Sequence, residues 1–137
     1  MVLICSPSNP TGSVYTPDEL QGLVDVLAKY PDIIVMSDDV YEHINFGAEL
    51  RSLASFPELK DRVVIINGVS KAYAMTGWRI GYCAAPAALA KAVTKLQGQY
   101  TSGASSIAQK AAIRVCCRRT WHSSGVCSRV RRTPRRP

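Results

Sequence analysis

Ile33-Ile34-Val35-Met36, followed by Ser37-Asp38-Asp39-Val40-Tyr41-Glu42, sets the fold class of the chain. Its first four residues are apolar without alternation, and three are β-branched, the pattern of a strand covered on both faces. The same pattern recurs on either side. Upstream, Val2-Leu3-Ile4-Cys5 ends in Ser6-Pro7-Ser8-Asn9-Pro10-Thr11-Gly12, dense in turn formers. Downstream, Arg62-Val63-Val64-Ile65-Ile66 runs on toward Ser70-Lys71. Between the first two runs a helix is predicted, with Thr16 as N-cap, Pro17 at N1 and Glu19 closing a capping box. Leu20, Leu23, Val24 and Leu27 form its single apolar stripe, and Pro31 stops it.

The rest of the chain reads less sharply. Residues 47–61 are polar and partly helical, and residues 79–84 are a weaker strand candidate. Leu89, Val93 and Leu96 mark a helix from Pro86, and another begins at Ser106 and loses its pattern near Arg114. Buried strands separated by helices imply an α/β fold with a mostly parallel sheet flanked by helices. In such sheets ligands bind beyond the carboxyl ends of the strands. Asn9, Asp38 and Lys71 follow three successive strand ends, which would bring them to one rim.

Composition sets the outer bounds. A length of 137 residues allows one domain, and a hydrophobic fraction of 47% excludes wholesale disorder. No apolar run approaches the roughly 18 residues of a membrane span, and no signal-peptide pattern opens the chain. Five cysteines are too sparse for a disulfide-built fold and favour a reducing compartment, so a cytoplasmic location is expected. The formal charge of +7 would suggest a nucleic-acid partner, but its distribution argues otherwise. Residues 1–113 carry 9 basic and 10 acidic side chains, whereas residues 114–137 carry 8 arginines and no acid. Two segments follow: 1–113 as the globular part, and 114–137 as an Arg/Cys-rich tail expected to be disordered.

Three motifs carry chemistry: Ser-Pro-Ser-Asn-Pro-Thr-Gly at 6–12, Ser-Asp-Asp-Val-Tyr-Glu at 37–42, and Ser-Lys-Ala-Tyr-Ala-Met-Thr-Gly-Trp-Arg-Ile-Gly-Tyr at 70–82. In this order they resemble the class I pyridoxal-phosphate-dependent aminotransferases, and among these the bacterial aspartate aminotransferases. The resemblance covers about residues 1–113 and implies part of the large domain of the fold-type-I transferases. Pyridoxal 5'-phosphate must be held covalently, kept electron-poor at its ring nitrogen and anchored by its phosphate.

The resemblance implies a role for each matching residue. Lys71 corresponds to the Schiff-base lysine, whose freed amine moves the proton. Asp38 corresponds to the carboxylate that keeps the pyridine nitrogen protonated. Tyr41 and Asn9 correspond to the pair contacting the cofactor's phenolic oxygen, with Asn9 also near the substrate. Arg79 corresponds to the phosphate-binding arginine, whose fork suits two phosphate oxygens. Ser70 would add a hydroxyl to the phosphate cup. Asp39, where the family commonly has glutamate, is read as a conservative departure with no catalytic role.

The implied reaction is amino-group transfer between an amino acid, best aspartate, and a 2-oxo acid, best 2-oxoglutarate. Aromatic or prephenate-type substrates stay open, as do the other reactions that this cofactor scaffold serves. A homodimer is implied for the full-length family, with Thr101-Ser102 at its interface. Family segments before residue 1 and after the 113 region have no counterpart here. The chain is therefore read as a piece, with a start internal to a longer gene and a frameshift near codon 114. Exposed sheet edges then imply poor solubility, and residues 1–137 alone are expected not to transaminate. No metal is expected. The rival reading takes Cys117, His122 and Cys127 as three ligands of a zinc knuckle that binds single-stranded RNA, but Arg114 stands where the fourth belongs.

Overall fold

The computed structural model describes residues 1–119. The chain divides into two units, Met1–Gly103 and a second beginning at Ala104. In the first, β1 (Val2–Cys5), β2 (Val35–Asp38), β3 (Val63–Gly68) and β4 (Gly81–Ala84) form a four-stranded sheet in sequence order. Its helices are α1 (Pro17–Leu27), the short α2 (Val69–Ala72) and α3 (Ala87–Tyr100). The second unit contributes α4 (Ser106–Arg119). The helical pattern was expected to fail near Arg114, yet α4 continues to Arg119. His122, Cys127 and most of the expected disordered tail lie outside the described residues. No helix among the described residues is long and apolar enough to cross a membrane.

β1, β2 and β3 are parallel and β4 is antiparallel to β3, so the sheet is mixed. The register aligns Val2, Val35 and Val63 on one face. That face packs against Leu20, Val24 and Leu27 of α1, as the apolar stripe predicts. Leu53, Phe56 and Leu59 complete this core from two 3-10 turns, Leu53–Ser55 and Pro57–Leu59. Full burial of one such side chain is worth about 1.5–3 kcal/mol. The segment read as polar thus supplies three core residues. The opposite face is less covered: Leu3 of β1 is 56% exposed, and α3 buries none of its residues. Coverage on both faces therefore holds for Val63 and Val64 of β3 but not for β1.

Local chemistry fixes the edges of these elements. The capping box at Thr16 forms as expected, and the Thr16 amide and hydroxyl hold the Glu19 carboxyl below its usual range. Beyond the other end of α1, the Arg62 guanidinium donates to the carbonyls of Leu27, Tyr30 and Ile33 at 2.8–2.9 Å. Ile33 also gives its amide to the Tyr30 carbonyl. With its backbone engaged in that turn, Ile33 stays outside the ladder, and β2 is Val35–Asp38 rather than 33–36.

β3 and β4 approach closely where Gly68 stands opposite Gly81. A Cβ at Gly68 would lie 2.9 Å from the Ile80 carbonyl oxygen, a backbone atom that cannot rotate away. At Gly81 the nearest atom would be 3.5 Å distant. Gly68→Ala should therefore destabilise the chain by about 2 kcal/mol in urea unfolding, whereas Gly81→Ala should change it by about 0.5 kcal/mol or less.

Candidate functional site

Because β1, β2 and β3 run parallel, their carboxyl ends at Cys5, Asp38 and Gly68 share one edge. The segment after β1 folds back on itself. Ser8 receives the Gly12 amide at 2.7 Å and gives its own to the Ser13 carbonyl at 2.9 Å, while the Ser6 hydroxyl accepts the Tyr15 amide at 3.1 Å. Gly12 takes φ +72°, a conformation that costs any residue with a Cβ. This loop carries Asn9. After β2 the chain turns at once, with the Glu42 amide on the Asp39 carbonyl and the Ile44 amide on the Tyr41 carbonyl. That turn carries Tyr41. After β3 the chain enters α2, which carries Lys71.

These three side chains meet. Asn9 Nδ2 donates to Tyr41 Oη at 2.7 Å, and Lys71 Nζ stands 5.4 Å from the centre of the Tyr41 ring. All three line a cavity of about 490 Å³, together with apolar Val14, Ile44 and Phe46. An amine, a phenol and a carboxamide thus face one space with an apolar wall. Such a set can bind a polar aromatic ring and move a proton at the amine.

The other expected site residues do not line this cavity. Asp38 ends β2 in register with Cys5, and its Oδ1 accepts the Val40 amide at 3.3 Å. Its charge is felt next door: burial, then the Asp38 carboxylate, pushes the Cys5 thiol up, with Asp39 adding and a backbone hydrogen bond at Asn9 opposing. Ser70 is half-buried in α2, where its carbonyl accepts the Met75 amide at 3.0 Å. Arg79 is exposed, and its Nη1 donates to the Thr76 carbonyl at 3.0 Å. It follows the 3-10 turn Thr76–Trp78 in the left-handed region, at φ +54° and ψ +47°. That conformation costs a non-glycine residue about 1–2 kcal/mol, and such outliers cluster at functional sites.

Two buried polar residues escaped the sequence reading as parts of the site's support. Asp39 accepts from the Ser37 hydroxyl at 2.6 Å and the Ser52 hydroxyl at 2.7 Å, and its amide donates to the Ile66 carbonyl. It anchors the Tyr41 turn rather than entering the cavity. Asn67 donates through Nδ2 to Glu42 Oε1 at 2.6 Å and accepts the Gly68 amide at 2.7 Å. The rule that singled out Asp38, a polar residue at a strand's carboxyl end, applies equally to Asn67.

Known proteins resemble this chain in sequence and in fold. The family model for aminotransferase class I and II matches residues 1–132. An aspartate/prephenate aminotransferase of Nitrosomonas europaea is 56% identical over 114 residues, which is 82% of this chain and 29% of that protein. A probable aspartate/prephenate aminotransferase of Rhizobium leguminosarum is 57% identical over 110 residues, 79% of this chain and 28% of that one. Among solved structures, an aspartate aminotransferase from Rhizobium meliloti superposes with a TM-score of 0.76 at 48% identity, covering 78% of this chain and 27% of its own. An aromatic aminotransferase from Pyrococcus horikoshii gives 0.81 at 37% identity, covering 88% and 33%. The chain belongs to the class I and II aminotransferases, and its mixed sheet is part of their fold. It spans less than a third of the length of the two curated relatives.

The Cys5–Asp38 contact is open to test. With its thiol pushed up, Cys5 should alkylate more slowly than exposed Cys83 at neutral pH. Asp38→Asn removes one cause of that shift, so alkylation of Cys5 should quicken about threefold while Cys83 is unchanged. Peptide-level mass spectrometry of a timed iodoacetamide reaction checks both.

Proposed function

We propose that this chain is the cofactor-holding part of a pyridoxal 5'-phosphate-dependent aminotransferase. The observation that supports it most is the convergence of Asn9, Tyr41 and Lys71 on one cavity. The donor set fits the cofactor: a primary amine for its aldehyde, and a phenol with a carboxamide for its ring oxygen. A carboxylate, Asp38, ends the adjacent strand. When bound, pyridoxal 5'-phosphate would supply an electron-accepting ring and an aldehyde carbon on which the amino group passes from one substrate to the other.

In this reading Lys71 Nζ would hold the cofactor covalently, and its free amine would take and return the proton of the substrate α-carbon. Tyr41 and Asn9 hold the ring oxygen. Asp38 keeps the ring nitrogen protonated, since a neighbouring carboxylate favours the charged form. Arg79, with Ser70, takes the phosphate; for these two the support is the motif, since the Arg79 guanidinium rests on the Thr76 carbonyl. The names of the relatives favour aspartate and prephenate as substrates, while 2-oxoglutarate as accepting 2-oxo acid rests on the family resemblance. A homodimer and a cytoplasmic location belong to the same proposal.

Titration with pyridoxal 5'-phosphate tests it. The chain should develop a visible absorbance band that Lys71→Ala abolishes; a band that survives the substitution overturns the assignment. Addition of aspartate should leave the bound aldehyde unconverted. Conversion to the amine form would overturn the expectation that residues 1–137 do not transaminate alone.

A further inference from the structure

Asn67 is the penultimate residue of β3, four residues before Lys71, and only 9% of it is exposed. Its amide is used at both ends. Oδ1 accepts the amide of Gly68, the N-cap residue of α2, and Nδ2 donates to Glu42 Oε1, next to Tyr41. Asn67 therefore touches two of the three segments that build the cavity. The Tyr41 turn is pinned at its start by Asp39, through Ser37, Ser52 and the Ile66 carbonyl. Beyond Tyr41 its tie to β3 is the Glu42–Asn67 hydrogen bond. Glu42 also faces His43 Nε2 at 3.5 Å, on the solvent side. The α2 side of the tie is held by the sheet, because Gly68 pairs with Gly81 and the Val69 amide donates to the Ile80 carbonyl at 3.3 Å. A shift of the turn is thus a change in the separation of Tyr41 and Lys71.

We propose that Asn67 is a positioning residue, which through Glu42 sets the Tyr41 ring against the Lys71 amine. This rests on the function proposed above and adds to it a residue outside the cavity. The bond to a carboxylate is charge-assisted, and its donor Asn67 is buried, so loss of the acceptor would leave a buried amide short of a partner.

Glu42 and Asn67 allow an exchange of donor and acceptor. N67D keeps the acceptor for Gly68 but sets a carboxylate against Glu42. E42Q keeps an acceptor for Asn67, and N67D combined with E42Q restores a donor–acceptor pair with its direction reversed. The first measurement needs no cofactor: the acetylation rate of Lys71 relative to Lys91 and Lys95 on α3. N67D should raise it about threefold as the Tyr41 ring moves away, while E42Q and the double variant stay close to the wild-type rate. The second is the dissociation constant for pyridoxal 5'-phosphate, which N67D should weaken roughly tenfold and the double variant recover.

An unchanged Lys71 rate in N67D, or no recovery in the double variant, overturns the positioning role. If N67D does not fold, E42A removes the same tie from the half-exposed side, and its Lys71 rate decides. Failure of the wild-type chain to bind the cofactor would instead overturn the proposed function, and the Lys71 rates would still decide the role of Asn67.

Discussion

The in-register parallel pairing of β1, β2 and β3 is the constraint on which the site depends. Val2, Val35 and Val63 stand side by side across it and bury one face against α1 and the two 3-10 turns. A slip of one residue in any strand would replace its valine at that core with a neighbour of different shape and shift the loop that follows along the sheet. The same register brings the strand ends at Cys5, Asp38 and Gly68 to one edge, so packing on one face fixes where three loops begin. Asn9, Tyr41 and Lys71, 62 positions apart from first to last in sequence, meet because of it.

A second layer of polar contacts turns that rough convergence into a defined geometry. Asp39 is buried yet fully engaged, with one serine hydroxyl on each carboxylate oxygen. Asn67 is likewise buried with its donor and acceptor both used. Unpaired, either would cost about 1–3 kcal/mol. Paired, they restrict the turn bearing Tyr41 from both of its sides. Side chains outside the cavity thereby determine what the cavity can hold.

Much of this was legible in the sequence, for physical reasons that differ by element. α1 announced itself through a capping box and one apolar stripe, both local signals that the structure bears out. The strands were legible as unalternating apolar runs, but β2 begins two residues later than read because Arg62 and the Tyr30 turn claim the backbone of Ile33. The direction of β4 was not legible, since it depends on how the chain reverses through α2 and the 3-10 turn. Residues 53–59 looked polar because their three apolar side chains are few and lie among polar neighbours, yet they stand three apart, the period of the 3-10 turns that aim them at the core. Strand-end positions pointed to Asn9, Asp38 and Lys71 on one rim; Asn9 and Lys71 do line the cavity, Asp38 does not, and Tyr41, which the strand-end rule did not name, takes the third place. The support roles of Asp39 and Asn67 were not legible, because their partners, Ser52 and Glu42, are set by tertiary folding rather than by spacing.

In the proposed function, three strand-end loops form one binding site for one small molecule. Two-dimensional NMR of the ¹⁵N-labelled chain during titration with pyridoxal 5'-phosphate tests it most directly. The side-chain amide of Asn9 and the backbone amides of Tyr41 and Lys71 should shift together along a single binding curve. Shifts scattered among Lys29, Lys60, Lys91 and Lys95, with those three signals unmoved, would contradict it.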